Sequence, residues 1–184
     1  MYRIWLILLW LLVACGRDTE VEASLADRFP RLSHAQWEST VQDLFRLPSP
    51  SGLSTTFQPD PQLGRFDNNI ARLSLTSGLW RDYQRAAEVI AERVVTEPAL
   101  FTTLVPDPSN ADVRQFVTTF GLRAFRRPLK DTEVERYVQL FEGAGAVFPA
   151  HDAVTAGVRL VIQGMMQSPF FLYRSELSDA VVDG

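Results

Sequence analysis

Cysteine, lysine and histidine are nearly missing from this chain of 184 residues. Cys15 is the only cysteine. An internal disulfide, a C-x-x-C-H haem attachment and a cysteine-based zinc site are therefore excluded. The two histidines, His34 and His151, lie far apart, and nothing in the sequence places a second ligand beside either. Each is expected to be a surface or capping residue. No nucleophile-elbow motif supports a Ser-His-Asp arrangement. Lys130 is the only lysine beside seventeen arginines, and the formal charge is −4. That balance offers no electrostatic footprint for nucleic acid. Strand-like alternation is nearly absent, the short stretch Ala71 to Thr76 excepted. No apolar run approaches the roughly 20 residues of a membrane-spanning helix.

What is present begins at the amino terminus. Met1-Tyr2-Arg3 supplies positive charge, and an apolar run of eleven residues follows from Ile4 to Ala14. That length fits the h-region of a signal peptide. Leu12-Val13-Ala14-Cys15 then resembles a bacterial lipobox, in which the cysteine thiol takes a diacylglycerol and the chain is cut just before it. Residues 1–14 are expected to be a lipoprotein signal peptide. Residues 15–27 are expected to be the lipidated Cys15 and a flexible tether, and residues 28–184 a helical domain. Alternatives are an ordinary secretory signal or a short buried helix. A free thiol in an oxidising compartment is a liability unless it is used, which favours lipidation. Gly16 stands where Asp would favour inner-membrane retention, so an outer-membrane anchor is expected, facing the periplasm or the surface.

The body of the chain reads as all-α, a compact array of about five helices. Ser33-His34-Ala35-Gln36 has capping-box form, and Trp37, Val41, Leu44 and Phe45 recur at helical spacing to about Leu47. Pro48 to Gly64 is a loop rich in proline, serine and glycine. A second helix is expected from Leu79 to Thr96, with Trp80, Tyr83, Ala87, Ile90 and Val94 inward and Pro98 marking its end. Ser109 is expected to cap a third, whose inward face carries Val113, Phe116, Val117, Phe120 and Ala124. Asp131 is expected to cap a fourth, burying Val134, Tyr137, Val138 and Phe141, with Gly143 and Gly145 ending it. A fifth runs from His151 to Gln167 over Val154, Val158, Val161 and Met165.

Chemistry-bearing clusters are few. Arg123, Arg126 and Arg127 suit either an anionic group, such as a haem propionate or phosphate, or helix C-termini and acid partners. Asp60, Asp67 and Asn68 offer the hard oxygen ligands of calcium, yet without EF-hand spacing, and Asx residues beside Gly64 also make turns. No metal site, catalytic residue or cofactor is expected, and these three residues are the weak metal candidates. Phe170, Phe171 and Tyr173 are expected to join the core, with an exposed docking patch as the alternative.

Three patterns carry a family resemblance. The first runs from Arg31-Leu32-Ser33 and Trp37 through Asp43-Leu44-Phe45 to Phe57-Gln58-Pro59-Asp60 and Gly64-Arg65-Phe66-Asp67-Asn68-Asn69. The second is Phe120-Gly121-Leu122-Arg123-Ala124-Phe125-Arg126-Arg127-Pro128-Leu129, with Glu133 and Tyr137 beyond, and the third is Gln163-Gly164-Met165-Met166-Gln167-Ser168-Pro169-Phe170-Phe171-Leu172-Tyr173-Arg174-Ser175-Glu176. Together they resemble the N-terminal half of the family named domain of unknown function 1592. The family occurs in myxobacterial lipoproteins and in planctomycete proteins with cytochrome c modules. The resemblance implies an exported helical protein associated with cytochromes, with no established activity. Family members continue beyond the third pattern into regions with a C-x-x-C-H-like motif, so this chain is expected to be truncated relative to them. It also carries Lys130 where the family tends to place a Thr or Ser cap.

The function expected is that of a lipid-anchored envelope protein, a helical interaction module for cytochrome or redox partners. Its expected partners are the membrane, through the lipid, and a cytochrome c-type protein. The alternatives are an envelope or extracellular hydrolase, or a non-functional fragment of a longer family member.

Overall fold

The computed structural model describes residues 30–59 and 75–174, which hold seven α-helices and no strand. Cys15, Asp60, Asp67, Asn68 and the first five residues of the Ala71 to Thr76 stretch, apart from Leu75, lie outside them. Helix α1 is His34–Phe45, α2 Ser77–Thr96, α3 Pro98–Leu104, α4 Val113–Phe125, α5 Asp131–Glu142, α6 Ala153–Met166 and α7 Pro169–Leu172. The all-α class and the helical array are as the periodicity implied.

Helix α1 forms where its signals place it. The Ser33 hydroxyl accepts from the Gln36 N–H, and the Gln36 side chain accepts from the Ser33 N–H. Trp37, Val41, Leu44 and Phe45 are all buried. At about 1.5–3 kcal/mol for each large apolar side chain taken from water, that stripe fixes the helix against the core. Helix α2 buries Tyr83, Ala87, Ile90 and Val94 as the pattern implied. Trp80, however, is exposed, and Leu79 takes the inward position one residue earlier.

Three helix boundaries differ from the sequence reading. Pro98 does not merely follow α2; it opens α3 as a first-turn residue, where its missing N–H costs nothing. Ser109 sits in a short 3₁₀ turn, Pro108–Asn110, and the cap of α4 is Asp112, whose carboxylate accepts from the Gln115 N–H. Asp131 is not the cap of α5 but its first residue; Lys130 holds the cap position, and its N–H donates to Glu133.

Helix α6 runs through the middle of the array. It packs chiefly on α2 and α5, and also on α4 and α7. Ala156, Gly157, Ile162 and Met166 are therefore buried along with Val158, Val161 and Met165. Gly157 lets α5 approach closely: a Cβ there would stand 2.5 Å from the Phe141 ring. The aromatic segment divides. Phe171 is fully buried, whereas Phe170 is 51% exposed.

The two ends of the described chain are clasped. Arg31 and Tyr173 form an isolated antiparallel bridge. The Leu32 N–H donates to the Leu172 carbonyl at 2.8 Å, and the Arg174 N–H donates to the Pro30 carbonyl at 2.9 Å. The hydrophobic core joins residues from both ends of the chain in one cluster, Leu32 and Trp37 with Phe171 and Leu172.

Candidate functional site

The three arginines of the second pattern do three different things. Arg123 leaves the last turn of α4 and reaches α1, donating to the carbonyls of Asp43 at 3.0 Å and Leu44 at 2.5 Å. These are carbonyls at the C-terminal end of α1, where positive charge is favoured. Arg123 is thus a helix cap supplied from another helix. Arg127 forms a two-pronged pair with Glu133, at 2.8 and 2.7 Å. Its guanidinium also lies over the Phe170 ring, 4.3 Å from the centroid. Arg126 donates weakly to the Phe171 carbonyl at 3.3 Å, and its guanidinium lies 5.9 Å from the Phe171 ring centroid. Pairing and capping account for Arg127 and Arg123; Arg126 has no carboxylate partner among the described residues.

Glu133 is fixed by that pairing. Hydrogen bonding from Arg127 is the main reason its carboxyl is lowered to about 2, with the Lys130 N–H assisting against the effect of burial. A carboxyl whose folded value lies below its unfolded value stabilises the fold above the unfolded value, roughly 4.3. That contribution is lost as pH falls through about 2. After discounting for solvent screening, it amounts to about 1–2 kcal/mol. In urea melts, Arg127→Met is expected to be less stable than the parent chain by that amount above pH about 5. The difference should close progressively toward pH 2; a gap independent of pH would show that Glu133 draws nothing from Arg127.

A further basic surface forms where α1 and α4 end. Arg46 follows α1 and Arg126 follows α4, and each has left-handed backbone, φ 53° and 59°. Two adjoining shallow depressions, each of about 330 Å³, meet along α1 and share Thr40 and Arg126. Arg123 and Asp43 border the first, Arg174 the second. Burial, and then the charge of Arg46, lower the pKa of Arg123; burial, and then the charge of Arg174, lower that of Arg126. Arg46 thus acts on Arg123, and Arg174 on Arg126.

The histidines are not brought together. His34 opens α1 and meets Phe57 edge-on at 5.4 Å. His151 precedes the Asp152 cap of α6, and Arg159 lies 3.0 Å from its Nε2. An arginine can only donate, so that nitrogen accepts and the ring carries its hydrogen on Nδ1. No group of three or more His, Cys, Asp or Glu side chains among the described residues could hold a metal ion. The Asp60, Asp67 and Asn68 candidates fall outside that set.

Two features escaped the sequence reading. Glu38 is 8% exposed and accepts from the N–H groups of Ser51, Gly52 and Ser54 and from the Ser51 hydroxyl. Burial pushes its carboxyl upward, but these donors outweigh it and hold it below the ordinary value. Arg31 is buried, at 1% exposure, and donates to the Leu32 carbonyl at 2.7 Å and the Tyr83 hydroxyl at 2.5 Å. A Ser-Gly-Leu-Ser turn signals converging N–H groups, yet nothing in it names the acid that meets them.

Two family models match the chain. One, PSD3, a protein of unknown function (DUF1587), covers residues 30–96; the other, PSD5, a protein of unknown function (DUF1595), covers residues 112–176. No curated protein and no solved structure matches it. Two stretches of the chain are therefore similar to domains of unknown function, and neither of these bears the number 1592. The clasp joins the beginning of the first matched segment to the end of the second, and α2 of the first packs on α6 of the second.

Proposed function

We propose that this chain, with its two matched domains of unknown function, is a lipid-anchored cell-envelope protein whose helices form an interaction module. In this reading it is a relative of the domain 1592 family, exported and held at the outer membrane through Cys15. It faces the periplasm or the cell surface and works with a cytochrome-type redox partner. The anchor is supported by Leu12-Val13-Ala14-Cys15 placed directly behind an apolar run of signal-peptide length. With its one cysteine used for lipid, the chain has no thiol for covalent haem, so redox chemistry would come from the partner.

One observation carries the module over an enzyme. The described carboxylates with shifted pKa values, Glu38, Glu133 and Asp152, are all shifted downward by hydrogen bonds that hold structure. Each of the three is engaged in a turn, an ion pair or a helix cap. The reading fits a scaffold that holds its acids ionised in turns, caps and ion pairs.

The experiment is Cys15→Ser in the exporting host. The parent chain is expected to incorporate labelled palmitate and to sediment with membranes. The variant should lose the label and remain uncut. A variant cut at the same place and recovered in the soluble fraction would overturn the anchor. The detergent-solubilised parent chain should also retain a haem-staining partner after crosslinking, and a preparation with none would remove the cytochrome association.

A further inference from the structure

We propose that the basic surface where α1 and α4 end binds a compact oxyanion, a phosphate or phosphate monoester, through Arg46 and Arg126 with Arg123 behind them. The inference stands apart from the lipid anchor and from any redox partner. It rests on where the arginines are held and on what does not neutralise them.

Arg46 and Arg126 are the only non-glycine residues with positive φ among the described residues. At the residue following a helix this conformation favours glycine, and then asparagine, because a Cβ crowds the backbone. Two arginines occupy the two such positions: Arg126 lines both depressions, and Arg46 follows the end of α1 whose carbonyls Arg123 caps. A backbone cost accepted at two sites for a long cationic side chain points to a task for the guanidinium.

Charge gives the second line of argument. The chain is acidic overall, at −4, yet this surface gathers arginines: after burial, the charge of Arg46 lowers the pKa of Arg123, and that of Arg174 lowers the pKa of Arg126. None of Arg46, Arg123 and Arg126 forms an ion pair with a carboxylate of the described residues, in contrast to Arg127, Arg114 and Arg159. Asp43 is the one acid lining the depressions, and what Arg123 contacts there is its main-chain carbonyl. An oxyanion would relieve that repulsion and accept forked N–H groups, the geometry in which arginine exceeds lysine. Arg46 is exposed, and Arg126, although burial chiefly lowers its pKa, keeps part of its surface open to solute. The adjoining depression along Gln36, Ser39 and Thr40 leaves room for the remainder of a phosphate ester.

The test uses the full chain and two substitutions chosen to spare the fold. Arg46→Asn and Arg126→Asn suit left-handed backbone better than arginine does, whereas Arg123 is left in place because it caps α1. Inorganic phosphate is titrated calorimetrically at constant ionic strength against chloride, and phosphatidic acid vesicles are floated against neutral ones. Saturable binding of phosphate, weakened at least tenfold by either substitution with the melting temperature unchanged or raised, is expected from a soluble phosphate ligand. Vesicle binding lost in both variants, without a response to free phosphate, would support the same site with a lipid headgroup as the source. Phosphate no more effective than chloride, together with equal flotation on both vesicles, overturns the proposal. Variants that bind as the parent chain does overturn it as well.

Discussion

Replacing Arg31 by methionine is expected to destabilise the domain by about 3 kcal/mol or more, among the largest effects of a single substitution here. The residue sits at 1% exposure in the clasp that joins the two ends of the described chain. Its guanidinium donates to the Leu32 carbonyl and to the Tyr83 hydroxyl, and lies 6.0 Å from the Tyr83 ring centroid. Methionine keeps much of the volume and removes every donor. The Tyr83 hydroxyl, on a side chain that is 1% exposed, then loses this partner. A buried hydrogen bond to a charged group contributes about 1.5–3 kcal/mol. Urea denaturation should show a lower midpoint with little change in slope. A midpoint within a few tenths of a molar unit of the parent would mean that the guanidinium contributes nothing to the clasp. Tyr83→Phe removes the acceptor and keeps the guanidinium, and should cost about 1.5–3 kcal/mol, the share of this one bond.

The helical stripes were legible because their cause is local. Trp37, Val41, Leu44 and Phe45 recur at helical spacing and all are buried. Ser33 and Gln36 announced the start of α1 by spacing alone. Boundaries were less legible where two local signals competed. Pro98 stops one helix and starts the next, and the sequence reading took only the first meaning. Trp80 lies three residues before Tyr83 and Leu79 four, and the inward direction falls on Leu79, since both spacings suit one helical face and only one of the two positions is buried. Site geometry was legible only as residue types. Arg123, Arg126 and Arg127 read as one cationic group, yet they point to three places: Arg123 to a helix nearly eighty residues earlier, Arg127 to Glu133 six residues on, Arg126 to the Phe171 carbonyl. Arg46, which follows the end of α1, carried no motif at all. Its role depends on two helices ending side by side, a tertiary relation that no spacing encodes.

Glu38→Ala is the second large expected effect, about 3 kcal/mol of lost stability. Its carboxylate gathers the Ser51, Gly52 and Ser54 N–H groups at 2.8, 3.2 and 2.8 Å, and the Ser51 hydroxyl at 2.9 Å. These donors open the 3₁₀ turn Leu53–Thr56, where no side chain of the cap residue Gly52 can serve. The acid therefore ties the loop after α1 back onto α1, and with it Phe57, which packs edge-on against Trp37 and Tyr83. Alanine removes the acceptor and leaves converging donors with only water to replace it. Glutamine is expected to cost about 2 kcal/mol, because its amide NH₂ turns a donor toward donors. The sign of the pH effect follows from the lowered carboxyl. Stability from Glu38 is complete above the unfolded value of roughly 4.3 and is lost as pH falls through the lower folded value. Melts at pH 7 and pH 3 should thus find the variant closer to the parent chain in acid. Amide exchange gives an independent readout: Ser51, Gly52 and Ser54 should lose protection in Glu38→Ala while the α6 amides keep theirs relative to global unfolding. Unchanged exchange at those three amides would show that the loop is held by its own turn and by Phe57, and not by the acid beneath it.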